Sequence, residues 1–95
     1  MNPSKVRRDR LLALTDLPNI GPAMARDLRL LGFEHPGQLA GQDPQRLYDR
    51  LCELTETRQD PCVLDVFVSV TRFMDGEDPM PWWFYTPERK ERPEA

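Results

Sequence analysis

Leu17, Pro18, Asn19, Ile20, Gly21 and Pro22 join two helical patterns through very few residues, and their types suit one chemistry, the holding of an anion by backbone. Gly21 stands where a helix N-cap belongs. Pro22 falls at the first helical position, where a missing N–H costs nothing. Asn19 is one of the few non-glycine residues that tolerate a positive φ, so the turn can close tightly. Such a turn points successive N–H groups outward beside the positive end of a helix dipole, here those of Ile20, Gly21 and Ala23. The expected ligand is one backbone phosphate. Arg26 and Arg29 follow Pro22 at i+4 and i+7, opposite the apolar face, where both can flank the anion. The plainer alternative is a connection between two core helices with solvated arginines.

The stretch resembles the helix-hairpin-helix motif, whose usual pattern is Leu-Pro-Gly-Ile-Gly-Pro followed by small and apolar helix residues. Asn19 replaces its first glycine, a change that keeps the turn. Ala23 replaces the lysine that many DNA-binding members carry, a change that removes a charge from the phosphate site. Three stretches also resemble a small bacterial family of pathogenicity-locus or mitomycin-resistance proteins: Leu17–Leu28, Asp60–Phe67 and Trp82–Pro87. Together the likeness spans nearly the whole chain. It implies a helix-hairpin-helix, SAM-like fold and little biochemistry, because the family's names record contexts rather than an activity.

Other constellations are less specific. Lys5, Arg7, Arg8 and Arg10 could touch a second phosphate, but an exposed polar face is the simpler reading. Trp82, Trp83, Phe84 and Tyr85 could stack on unpaired bases or anchor a partner protein. In so small a domain, a tail folded over the helices is favoured, with at least one tryptophan buried. Cys52 and Cys62 are expected as small buried residues, and Cys62, in the first turn of a helix, is the more reactive candidate. With His35 the single histidine, one chain offers no tetrahedral zinc set, although a homodimer would bring four thiols. No metal or cofactor is expected. Catalysis finds no support either: there is no Ser/His/Asp spacing, no Walker-type loop and no carboxylate pair with a pocket, so an enzyme is not expected.

Ninety-five residues make one domain with a modest core. The net charge of −3 is unevenly spread. Residues 1–30 hold six basic and three acidic side chains, whereas residues 31–79 hold four basic and ten acidic. An anionic partner therefore fits the turn, while a polyanion wrapping the whole surface does not. No apolar run reaches membrane-spanning length, and the basic N-terminus lacks the apolar stretch of a signal peptide. The expectation is a cytoplasmic protein with reduced thiols and no membrane partner.

Five helices are expected to position these groups. Ser4 caps the first, over roughly residues 5–14, with Leu11 and Leu14 inward. Pro22 opens the second, with Met24, Leu28 and Leu31 on one face and Gly32 as its stop. A short third begins at Pro36 and ends at Gly41. Asp43-Pro44 and Asp60-Pro61 are cap and first-position pairs for the fourth and fifth. Val66, Val68 and Val70 alternate as in a strand, but length and the Asp-Pro start decide for a helix. The region from Phe33 to Leu54 has the layout of a second helix pair without the Gly-Ile-Gly turn. Residues 1–78 form the all-α helix-hairpin-helix domain, and residues 79–95 a proline-rich aromatic extension whose last residues, from Arg89, are expected to be disordered. The expected function is weak, sequence-independent binding of the DNA phosphate backbone. The alternative is a protein-protein interaction module that keeps the fold without DNA binding.

Overall fold

The computed structural model describes residues 6–91, and every regular element within them is helical. Four α-helices are present: α1 (Pro22–Leu30), α2 (Pro44–Thr55), α3 (Pro61–Met74) and α4 (Thr86–Glu91). Single 3-10 turns occupy Arg8–Arg10, Leu14–Asp16, Pro36–Leu39 and Trp82–Tyr85. No strand occurs among the described residues.

The helix starts follow their local chemistry. Proline stands in the first turn of α1, α2 and α3. The Asp43 carboxylate accepts the Gln45 N–H at 3.0 Å, and that of Asp60 accepts the Cys62 N–H at 2.9 Å. The stops are equally local. Gly32 takes φ 99° and Gly76 takes φ 113°, in the left-handed region that closes a helix. At each, a paired set of bonds back to the last turn satisfies the free carbonyls: Phe33 N–H to Leu28 O with Gly32 N–H to Arg29 O, and Glu77 N–H to Arg72 O with Gly76 N–H to Phe73 O. α2 has no glycine at its end; Glu56 takes the left-handed position instead, at φ 52°.

α3 is the centre of the molecule. Leu64 through Thr71 and Phe73 are all buried, with α2, α4 and the Pro36–Leu39 and Trp82–Tyr85 turns packed around it. A helix covered on all sides needs apolar residues all round, which explains the run that reads like a strand. Its buried hydroxyls are answered within the helix: Ser69 donates to Val66 O at 2.6 Å and Thr71 to Phe67 O at 2.9 Å. α1 packs against α2 and the Leu14–Asp16 turn. Leu14, Leu17, Ile20, Leu28, Leu47 and Leu51 join Phe67 and Phe73 in one core.

Two expectations are corrected. The first helix is absent, and two 3-10 turns stand in its place. Asp16 accepts the N–H groups of Leu12 and Ala13 at 2.9 and 2.8 Å, and Arg8 reaches across to the end of α3, so side chains outbid a short helix of marginal stability. The Ser4 cap lies outside the described residues. At the other end, Arg89 through Glu91 are helical, because Arg89 pairs with a buried carboxylate of α3; residues 92–95 lie outside the described part. The short third helix is the Pro36–Leu39 turn, which precedes α2 much as the Leu14–Asp16 turn precedes α1.

Candidate anion-binding turn and aromatic groove

Asn19 takes φ 65°, the left-handed conformation its type allows. Its side chain turns inward. Nδ2 donates to Ser69 Oγ at 3.0 Å and to Met80 O at 2.8 Å, fixing the turn to α3 and to the chain before the aromatic cluster. Leu17, Pro18 and Ile20 are buried beside it. The Ile20 N–H donates to Leu17 O at 3.4 Å, closing the turn with a long bond. Gly21 is the N-cap of α1 at φ −92°, extended backbone that any residue adopts, and a Cβ there would meet nothing within 4 Å. No side chain caps α1, and the Gly21, Ala23 and Met24 N–H groups have no acceptor among the described residues. Arg26 and Arg29 are exposed and form no ion pair there. They stand about 6 and about 10 Å along the axis from Pro22, on the same side of the helix. Asp27, between them in sequence, is half-buried, and burial raises its carboxyl pKa against the opposing charge of Arg26.

The N-terminal cations have divided roles. Arg8 donates to Phe73 O at 2.6 Å and to Glu77 O at 2.8 Å, with its guanidinium 4.0 Å from the Phe73 ring centre. It therefore places a positive charge on the carbonyl end of α3 while remaining exposed. Arg7 pairs with Asp9 at 3.4 Å on the surface, Arg10 is exposed, and Lys5 lies outside the described residues.

The aromatic cluster splits. Tyr85 enters the core, Trp82 is half-buried against it, and Trp83 and Phe84 are 61% and 56% exposed. Trp82 and Trp83 meet edge to face at 5.7 Å between ring centres. They border an open groove of about 580 Å³ that Pro87 and Lys90 of α4 and Cys62 of α3 also line. A second open groove, of about 550 Å³, lies along the end of α2 beside Tyr48 and Cys52, with Asp49, Glu53 and Glu56 against the single cation Arg58.

Asp65 is a functional-looking residue that sequence reasoning missed. It is fully buried, yet it accepts Thr86 Oγ1–H at 2.8 Å and Arg89 Nε–H at 2.8 Å. The signal was an acid inside the run Val63-Leu64-Asp65-Val66-Phe67, since a buried charge must be paired. Among the described residues no buried side-chain nitrogen or oxygen lacks a partner. Cys52 is half-buried, and its Sγ accepts the Gln59 N–H at 3.4 Å. The expected reactivity of Cys62 is corrected. Partial burial, then the adjoining Asp60 carboxylate and the Asp65 charge, push its thiol pKa up, against the weaker pull of Arg89. Among the described residues no group of three potential ligands is placed to hold a metal ion, and no helix is long and apolar enough to cross a membrane.

Comparison with known proteins places these features in a family. Residues 7–91 match the family described as "Pathogenicity locus". The chain is 42% identical over 77 residues to the mitomycin resistance protein McrB of Streptomyces lavendulae, an alignment that covers 81% of this chain and 73% of the relative. No solved structure matches. The match takes in the Asn19 turn, the buried Asp65 and the aromatic segment alike, and the chain belongs to the pathogenicity-locus family.

Proposed function

We propose that the chain is a helix-hairpin-helix, SAM-like domain that binds nucleic acid, DNA in the first instance, through backbone phosphates and without sequence preference. The contact is the turn from Asn19 to Ala23, flanked by Arg26 and Arg29. The observation that carries this reading is the open start of α1. α2 and α3 begin on aspartates that accept an amide, whereas α1 begins on Gly21 with amides and two arginines on the same side that have no partner among the described residues. Free donors at a positive helix end attract a phosphate. Gly21 leaves room for that phosphate to approach the backbone closely. Asn19 supports the turn from within, so only its backbone is left for the ligand. Phosphate contacts fix position and carry no base information. The reading assigns binding rather than catalysis, needs no cofactor, and suits a cytoplasmic domain that works beside a partner or as a homodimer.

A site that neutralises about two phosphates is weak, and raising salt fourfold costs roughly tenfold in affinity. Titration of labelled DNA in a salt series tests it. Arg26→Ala and Arg29→Ala should each weaken binding and reduce the salt slope by about one. Either no binding at low salt or unchanged binding in the double variant would leave the turn as a structural connection, and the first of these would favour the protein-interaction alternative.

A further inference from the structure

We propose that the groove beside Trp83 receives an unpaired nucleobase, so that the nucleic acid this domain takes is single-stranded. The proposal rests on the phosphate-binding reading of the turn and extends it to a class of strand. Trp83 exposes most of its ring although the half-buried Trp82 is its neighbour and Tyr85, two residues on, is in the core. The two indoles meet edge to face at 5.7 Å, and both border the groove. An exposed aromatic ring is a stacking platform, and every base has a face to offer it.

Charge selects the occupant. The two open grooves are similar in size, but the one along α2 is lined by three carboxylates and one arginine. The groove beside Trp83 is lined by Arg89 and Lys90 and, among the described residues, by no carboxylate. Arg89 is already answered by Asp65, so Lys90, exposed and without an ion pair among the described residues, carries the available positive charge. An aromatic wall beside a free cation fits a base joined to its phosphate.

Position links the groove to the turn. Asn19 holds the carbonyl of Met80, two residues before Trp82, so the aromatic segment starts at the turn itself. The groove extends to Cys62, which precedes Ser69, the other Asn19 partner, by seven residues of α3 or about 10 Å of helix. A strand with one phosphate at the turn can lay a nearby base in the groove, provided the base is not held inside a duplex.

The test uses the full chain with a short oligothymidylate and a mixed-sequence duplex of equal length, at low salt. The expected result is tighter binding of the single strand with quenching of tryptophan fluorescence. Trp83→Ala should lose about tenfold on the single strand and nothing on the duplex, and Trp83→Phe should restore most of the loss. Lys90→Ala should lower the single-strand salt slope by about 0.7. Equal losses on both DNAs, unchanged single-strand affinity in Trp83→Ala, or unquenched fluorescence overturns the proposal. Duplex binding that depends on Arg26 and Arg29 but ignores Trp83 overturns this proposal alone and leaves the turn's role standing. Binding of neither DNA removes both. A self-association that Trp83→Ala abolishes, seen by sedimentation without DNA binding, would assign the aromatic face to a second copy of the chain and overturn the proposal.

Discussion

The carboxylate of Asp65, fully buried in α3, accepts the Nε–H of Arg89 in α4 at 2.8 Å. Thr86 occupies its other oxygen, so α4 is held to the core by charge as well as by packing. The Arg72–Glu88 pair adds a second, more exposed link between the same helices.

A buried pair is costly to break from one side only. Arg89→Ala leaves the Asp65 charge in the interior with one hydroxyl for company, and such losses run to about 3–5 kcal/mol. In a domain whose whole stability is of order 5–15 kcal/mol, that is a large share. Replacing both partners with apolar residues, as in Asp65→Leu with Arg89→Met, should be less damaging than Arg89→Ala alone. Thermal melts of the three proteins decide it, and an Arg89→Ala variant that melts like the parent would refute the role given to the pair.

Asn19 is held for its side chain as much as for its backbone. Asn19→Gly keeps the φ of 65° without strain but deletes both bonds, to Ser69 and Met80. At about 0.5–1.5 kcal/mol per bond, the variant should lose roughly 1–3 kcal/mol in urea unfolding, although glycine is the residue the helix-hairpin-helix pattern prefers there. Equal stability would mean the bonds contribute nothing in water.

The parts of the fold legible in the sequence are those fixed within a few residues. Asp43-Pro44, Asp60-Pro61 and Gly21-Pro22 mark helix starts because the cap and the free amides are neighbours in the chain, and Gly32 and Gly76 mark stops for the same reason. The expected first helix loses to one local competitor and one distant one: Asp16 takes the Leu12 and Ala13 amides from close by, while Arg8 bonds to Phe73, 65 residues away, which no local pattern announces. The order of Arg89 is not legible in its own charged surroundings, because its partner lies 24 residues back. Trp82 to Tyr85 show density but not direction. A 3-10 turn, which periodicity does not announce, sends Tyr85 inward and leaves Trp83 out. For Cys62 only part of the cause is readable: burial, the larger influence on its thiol, depends on packing, whereas the Asp60 and Asp65 carboxylates that also raise its pKa are near neighbours in the chain.

Asp16 gives stability a pH dependence of known sign. Its bonds from Ala13 and Leu12 N–H favour the ionised form and lower its pKa in the folded chain. A depressed carboxyl pKa means the contribution is complete above the unfolded value, about 3.9, and fades as pH falls through the lower folded value. Asp60, lowered by its bond from Cys62 N–H, acts in the same direction. Asp16→Ala should therefore be less stable than the parent at neutral pH, with the gap narrowing below pH of about 4. A gap that stays constant down to acid would show that the ionised carboxylate is not what the amides bind.

Gly21 separates what the fold needs from what the ligand needs. The free chain does not require glycine there, because the backbone is extended at φ −92° and a Cβ would meet nothing within 4 Å. Serine is a better N-cap than glycine by a few tenths of a kcal/mol. In Gly21→Ser the hydroxyl can accept the N–H of Ala23 or Met24, both without a partner among the described residues of the parent. Stability should therefore hold or rise slightly. Nucleic-acid binding should fall, because the same hydroxyl occupies the donors and fills the approach that a phosphate would use. Melting curves and DNA titrations on one preparation read the two effects side by side. A variant that is more stable and binds as before would place the phosphate elsewhere, whereas a gain in stability with a loss of binding would show that α1 is left uncapped for its ligand.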